Sequence, residues 1–331
     1  MEELPVRPVT RRGALRMGLA APVALPSMAR AQGTWPVKPI HVILPYGAGG
    51  AADTVCRVLF AKVAERLKQS VVIENRTGGN TIVGSSAVLQ MPKDGYAFLV
   101  NSAQFLVNPV LMKNLPFDFA TSFVPVTRLA AFPQVVAVRS DFPATTIAEF
   151  LAYAKANPGR VSYGTPPAAG MGHLAGALLQ SKAGIKLNHA PYRLATEAVR
   201  DLSGGQIDAV ILTTSTIQPA LQGNKGRVLA ITSARRTPAM PDVPTLTETV
   251  LPGFDMDDWV GLFAASGVGA EIIAQMQAAL ADAARDPAVI ARLSPLGTMI
   301  LADATTSFAK FLDDQREVLT QLIRETGITL E

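Results

Sequence analysis

The stretch LPYGAGGAAD, from Leu44 to Asp53, holds the residues best suited to chemistry, and that chemistry is anion capture. It follows the apolar run Ile40 to Ile43 and leads into TVCRVLFAKVAERL, residues 54–67. A strand that breaks into glycines and then a helix gathers backbone N–H groups around one point, at the positive end of the helix dipole. Gly47, Gly49 and Gly50 let the main chain approach a ligand closely and take positive φ where needed. With Tyr46, Ala48, Ala51 and Ala52 they form a candidate contact surface that needs no cationic side chain, because charge-assisted bonds to amides are strong. Asp53, at the helix start, reads as an N-cap, favourable there by about 1 kcal/mol.

Two anions fit this pattern. Gly47, Gly49 and Ala52 satisfy G-x-G-x-x-A, and Glu74 closes the apolar run VVIEN near the ~20-residue offset at which an acid takes a ribose hydroxyl. A dinucleotide is one reading. The carboxylate of a small acid is the other, and ENRTGG after the second apolar run favours it by adding further donors at Thr77, Gly78 and Gly79. Ser102 and Gln104, in NSAQF after a third apolar run, are candidate polar contacts at a cleft floor.

Other chemistries have less support. No G-x-S-x-G elbow is present, Ser85 and Ser86 have no arranged base, and the three histidines, His41, His173 and His189, lack metal-ligand spacing. Neither catalytic residues, a metal nor a cofactor is expected. Cys56 is alone in the chain and reads as a small core residue rather than a nucleophile.

The elements that must position these loops alternate strand and helix. Strands are expected at IHVILP, SVVIEN and Tyr96–Ser102, with helices over 53–68 and 81–91, a βαβαβ order that argues for a doubly wound sheet. The pattern restarts at PQVVAVRSD. A strand at 134–139, a helix capped by Thr145 or Thr146, strand VSYG, helix GHLAGALLQSKAG, LNHAPY, a helix over 194–203, QIDAVIL and RVLAITS follow in turn. In the last segment Phe308, Phe311, Leu312, Leu319, Leu322 and Ile323 fall on one helical stripe, which needs a sheet to cover. Two α/β lobes result: a discontinuous one, 34–132 plus 260–331, and an inserted one, 133–259, with a cleft between them.

The N-terminus is an address. Arg11 and Arg12, a short apolar region and Ala29-Arg30-Ala31 read as a secretory signal of the twin-arginine kind, residues 1–31, cleaved after Ala31. The chain has 30 basic and 26 acidic residues; the signal holds five arginines and two glutamates, leaving 25 and 24. The basic balance therefore belongs to the signal and does not indicate nucleic acid. No later segment has the ~20 continuous apolar residues of a membrane span.

Read together, WPVKPIHVILPYGAGGAADTVCRVLFAKVAERL, VVIENRTGGNTIVGSSAV, KDGYAFLV, AYAKANPGRVSYGT, HLAGALLQSKAGIKLNHAPYR, DLSGGQIDAV and ITSARRTPAMPDVPTLTETVLPGFD resemble the extracytoplasmic substrate-binding proteins of tripartite tricarboxylate transporters, the Bug/TctC-like family. The resemblance runs from Trp35 to the C-terminus. It implies an α/β type II periplasmic binding protein, two doubly wound lobes that close on a small organic anion for delivery to integral membrane transporter subunits. It also answers the question of the anion in favour of the acid. Thr165 stands at the family's hydroxyl position and His173 at its histidine, while Tyr192 and Asp208 come from matching motifs, Asp208 reading more as a structural acceptor than as a ligand contact; the resemblance also adds to the cap role of Asp53 a bond to ligand or ordered water. A sensor or chemoreceptor partner would look the same in sequence.

Departures concern the second lobe. Pro166, Pro167, Ala168 and Ala169, then Gly170 and Met171, replace a Ser/Gly-rich loop. Leu212, Thr213, Thr214 and Ser215 replace a segment with an acidic side chain. The resemblance so altered implies a ligand whose far end is apolar, such as an aryl or alkyl monocarboxylate rather than citrate.

Overall fold

The computed structural model describes residue 1 and residues 35–166 and 169–329. The signal segment, Pro167 and Ala168 lie outside the described residues.

Eleven strands among the described residues form two sheets. The first contains β1 (Ile40–Leu44), β2 (Val71–Asn75), β3 (Ala97–Asn101), β4 (Phe123–Phe132), β10 (Asp258–Ala265) and β11 (Met299–Ile300), in the order β11-β4-β10-β3-β1-β2. The second contains β5 (Gln134–Arg139), β6 (Ser162–Thr165), β7 (Asn188–Pro191), β8 (Ala209–Thr213) and β9 (Gly226–Ile231), in the order β7-β6-β8-β5-β9. β1 pairs in parallel with β2 and β3, and β6 with β7 and β8. One long strand in each sheet runs against its neighbours: β10 lies antiparallel to β3 and β4, and β5 antiparallel to β8 and β9.

The reversed strands mark where the chain changes sheets. β4 passes into β5 through Pro133, and β9 returns to β10 through residues 232–257. The two crossings are bonded to each other, since Thr232 donates its N–H (2.9 Å) and its hydroxyl (3.2 Å) to the Gln134 carbonyl. β10 begins at Asp258, two residues before the segment expected to rejoin the first lobe. The strand β4 and the helix Gln104–Leu111, which carries Pro109, were not foreseen from local pattern.

Burial follows from strand alternation. Ile40, Val42 and Leu44 pack with Val55, Cys56, Leu59, Phe60 and Val63 of the helix Ala51–Leu67, while Ile43 points to the opposite face. Cys56 is a buried core residue whose thiol is pushed up by burial. The C-terminal helix Thr305–Thr326 buries Phe308, Leu312, Leu319, Leu322 and Ile323, as its stripe requires. Phe308 packs over Gly261 in the first sheet, but the same helix also meets the helix Met171–Ala183 beside the second sheet. Apolar packing is therefore continuous from Phe263 and Phe308 to Tyr163 and Leu174. Thr146, not Thr145, caps the helix Ile147–Ala156, in a capping box with Glu149.

Candidate functional site

All the parallel strands of the first sheet present their carboxyl ends to the same side, where α/β sheets bind ligands. At the end of β1, Gly49 has φ +80° and Gly50 takes the N-cap position. Asp53, expected as the cap, is instead the third residue of the helix and folds back under the loop. Its carboxylate accepts the Gly49 N–H (2.9 Å), Arg57 Nε (2.8 Å) and Asn75 Nδ2 (2.9 Å), and is only 3 % exposed. The Arg57 guanidinium, helped by the Gly49 and Asn75 bonds, holds this carboxyl down at about 2. Asn75 also donates to the Tyr46 carbonyl (3.0 Å), tying the loop to β2. Gly47, Ala48, Gly50 and Ala51 remain exposed around the first-turn amides that a helix cannot satisfy itself.

Glu74, the acid of the dinucleotide reading, is already engaged. Its carboxylate meets His41 Nδ1 at 2.6 Å and accepts Arg76 Nη2 at 2.6 Å. A ribose hydroxyl would have to share these oxygens with both partners.

Thr77, Gly78 and Gly79 follow β2 in an exposed loop. Gly78, Gly79, Asn80 and Thr81 all have positive φ, a left-handed turn that asparagine tolerates and a β-branched residue resists. Two contacts hold it. Asn80 and Asn108 exchange hydrogen bonds of 2.6 and 2.7 Å, and Ser85 Oγ donates to the Thr81 carbonyl at 2.9 Å. At the end of β3, Asn101 is fully buried; its Oδ1 accepts the Tyr46 hydroxyl (3.2 Å) and the Ser102 N–H (2.8 Å). Tyr46 also donates to Ser102 Oγ (2.8 Å), which in turn donates to Gln104 Oε1. Burial keeps the Tyr46 phenol protonated far above its ordinary range. Asn101 was not singled out from sequence. It sits at the carboxyl end of an apolar strand, the one signal that could have marked it.

In the second lobe Thr165 is fully buried and its Oγ1 lies 2.8 Å from His189 Nε2. His173 accepts the Ala169 N–H at Nδ1 (3.1 Å) and stacks on His189 with ring centroids 3.8 Å apart. Burial lowers both imidazoles, and the neighbouring His173 helps to bring His189 down to about 4. The Tyr192 hydroxyl is turned to Asp201 (2.9 Å) and its ring covers Gly164.

Asp208 is engaged as a structural acceptor. It precedes β8 and accepts Ser162 N (2.9 Å), Ser162 Oγ (2.9 Å) and Arg139 Nε (3.2 Å), bracing the strands at the end of the sheet opposite Thr165 and Thr213. Its acceptors serve strand pairing, so it does not join the other candidates.

The facing strand ends enclose a cavity of about 130 Å3 between the sheets. Of the expected residues, Gln104 lines it from the first lobe and Gly170, Met171 and Thr213 from the second. Pro166, Ile211 and Leu212 make part of the wall apolar. Tyr46 and Ser102 reach it through the bonded chain to Gln104. Two residues missed from sequence complete it. Gln134, just after the first crossing, is 4 % exposed with its Oε1 unpartnered, beside Gly172 at the start of the helix Met171–Ala183. Asp258, at the end of the second crossing, accepts only its neighbour Trp259 N–H (2.9 Å), and burial raises its carboxyl to about 6. The doublet Asp257-Asp258, set before an apolar strand, was the available clue.

Residues 55–328 match the model of the family described as the tripartite tricarboxylate transporter family receptor. The UPF0065 protein of the tcbD–tcbE intergenic region of Pseudomonas sp. strain P51 is 34% identical over 305 residues, covering 90% of each chain. Among solved structures, a TctC solute-binding protein from Polaromonas without ligand aligns with TM-score 0.79 at 27% identity, over 88% of this chain and 100% of that one. Rpa4515 of R. palustris, solved with adipate, aligns with TM-score 0.74 at 26% identity, over 89% and 99%.

Two α/β sheets joined by paired crossings, with a cavity at their facing strand ends, define a two-lobed solute-binding protein of the periplasmic type. The chain belongs to the tripartite tricarboxylate transporter receptor family.

Proposed function

We propose that this protein is a periplasmic receptor that captures a small organic carboxylate between its lobes and delivers it to the membrane subunits of a tripartite transporter. The observation that carries the reading is a pair of anion-suited helix starts, one after the glycine loop of the first sheet and one lining the cavity between the sheets. A glycine loop with free first-turn amides ends β1, and the start of the helix Met171–Ala183 lines the interlobe cavity. Both are positive dipole ends suited to a carboxylate. Adipate in the related Rpa4515 is a ligand of that class.

The lobes are assigned as 34–132 with 260–331, and 133–259, closing around the ligand about the crossings at Pro133 and 232–257. Capture then shifts an open–closed equilibrium, because the acid touches both lobes only when they are shut. Residues 1–31 serve as the export signal, with cleavage after Ala31. Among the described residues no helix is long and apolar enough to cross a membrane.

The protein is read as a binder and not an enzyme. Thr165 and His189 have the spacing of a nucleophile and base, yet Thr165 is wholly enclosed and offers no approach to a substrate carbonyl.

A thermal-shift screen of the purified protein against C4 to C6 organic acids tests the proposal, with each acid also assayed for turnover. An acid at 100 times its Kd should add about 2.7 kcal/mol of stability. No shift with any acid, or conversion of one, would overturn it.

A further inference from the structure

We infer that Asp258, supported by Gln134, makes this receptor selective for small monocarboxylates that carry a hydrogen-bond donor, an ammonium or hydroxyl group, and sets it against a second carboxylate. The inference rests on the carboxylate-binding reading, names the ligand subclass of that same cleft, and replaces the apolar far end expected from sequence with one that carries a donor.

The cavity wall makes two unlike demands. At Gly170, Met171 and Gly172 it meets the start of a 13-residue helix, where amides and the dipole welcome negative charge. The same wall carries the Asp258 carboxylate, whose only protein donor is the adjacent Trp259 N–H. No lysine or arginine is among the described residues that line it. Arg128, on the strand β4 that leads into the first crossing, is committed to Asp303 at 2.8 Å. An ionised carboxylate accepts and cannot donate, so most of its hydrogen-bonding capacity awaits a donor from outside the protein.

Gln134 makes the same demand. Its Oε1 is buried with no partner, and an unsatisfied buried acceptor is costly unless a ligand or water supplies a proton. A dicarboxylate long enough to fill the cleft would bring like charge to Asp258 and give Gln134 nothing to accept. A group with N–H or O–H protons supplies the donor that Asp258 lacks, and a second such proton can reach Gln134 Oε1 beside Gly172. Sites built to hydrogen-bond a donor reject analogues lacking it far more strongly than apolar pockets reject a missing methylene.

Titration calorimetry with four chain-matched acids decides the point: 4-aminobutyrate, 4-hydroxybutyrate, butyrate and succinate. The full-chain protein should bind the amino or hydroxy acid at least tenfold more tightly than butyrate and succinate, and whichever of the two is tighter identifies the donor. In Asp258→Asn that preference should fall at least tenfold, with succinate gaining. Preference of the unaltered protein for succinate or butyrate overturns the inference while leaving carboxylate capture intact. An unchanged ratio in a folded Asp258→Asn variant does the same. If Asp258→Asn does not fold, the ranking by the unaltered protein alone decides. Failure to bind any of the four, while longer or aromatic acids bind, removes the inference only; failure to bind any acid at all removes the carboxylate reading with it.

Discussion

The carboxylate of Asp53 accepts the backbone N–H of Gly49 across 2.9 Å, so one amide of the glycine loop is held by the protein's own anion. The loop is thereby fixed in the shape that leaves its outer amides free, and a ligand need not order it. Replacing Asp53 by Asn should cost about 1–3 kcal/mol, the penalty of removing a partner from buried donors. Urea unfolding should show a lower midpoint at unchanged slope. The sign with pH follows from the carboxyl being held near 2 instead of 3.8. Its contribution is complete above pH 3.8 and is lost as pH falls toward 2, so the Asn variant should show a shallower acid limb.

Gly49 and Gly47 should behave differently although both open into free space. A Cβ at either meets no atom within 4 Å, but only Gly49 has positive φ, +80°. Gly49→Val should lose about 1–2 kcal/mol to left-handed strain and forfeit acid binding at least tenfold. Gly47→Ala should leave the melting temperature within a degree or so, since surface changes clear of special features are usually small. Circular dichroism melts and calorimetry of both variants make the comparison.

Asn101 holds the cleft wall of the first lobe. Asn101→Leu strands the Ser102 N–H and removes one acceptor from Tyr46, at about 1–3 kcal/mol. Tyr46→Phe, which deletes only the far end of the chain, should cost about 0.5–1.5 kcal/mol. Equal losses in denaturant unfolding would contradict the order of dependence.

The stacked pair His173 and His189 predicts a second pH effect, in the weakly acid range. His189 is held near 4 against an ordinary 6.5, so the unfolded chain takes up its proton first. Stability is complete above pH 6.5 and declines as pH falls toward 4. His189→Gln, able to keep the bond to Thr165, should flatten the melting-temperature profile between those limits.

At Gly261 the Phe308 ring of the C-terminal helix rests directly on the first sheet. A methyl group there would collide with the Phe308 ring, so Gly261→Ala should destabilise by about 1–3 kcal/mol through overpacking. Gly184→Ala, at a helix C-cap with φ +61° and open space, provides a strain-only reference.

Sequence alone determined the βαβαβ start and the alternation that resumes at Gln134, the glycine loop ending β1 and the apolar stripe of the last helix, though not β4 or the helix Gln104–Leu111. These depend on side-chain period and backbone freedom, which neighbours along the chain dictate. It also placed Gln104, Met171 and Thr213 near strand ends, where parallel sheets leave room for a ligand. Only the tertiary structure decided which acceptors were already occupied. Asp53 is a single acid in an anion-binding loop until Arg57 and Asn75 are seen around it, and Asp208 resembles a cleft residue until Ser162 and Arg139 fix it at the far end of its sheet. Gln134 and Asp258 leave no periodic trace, being the first residues after two chain crossings that meet only because the sheets exchange strands. Hydrogen-bond partners distant in sequence are set by folding, and that is why the form of the cleft was legible beforehand while its selectivity was not.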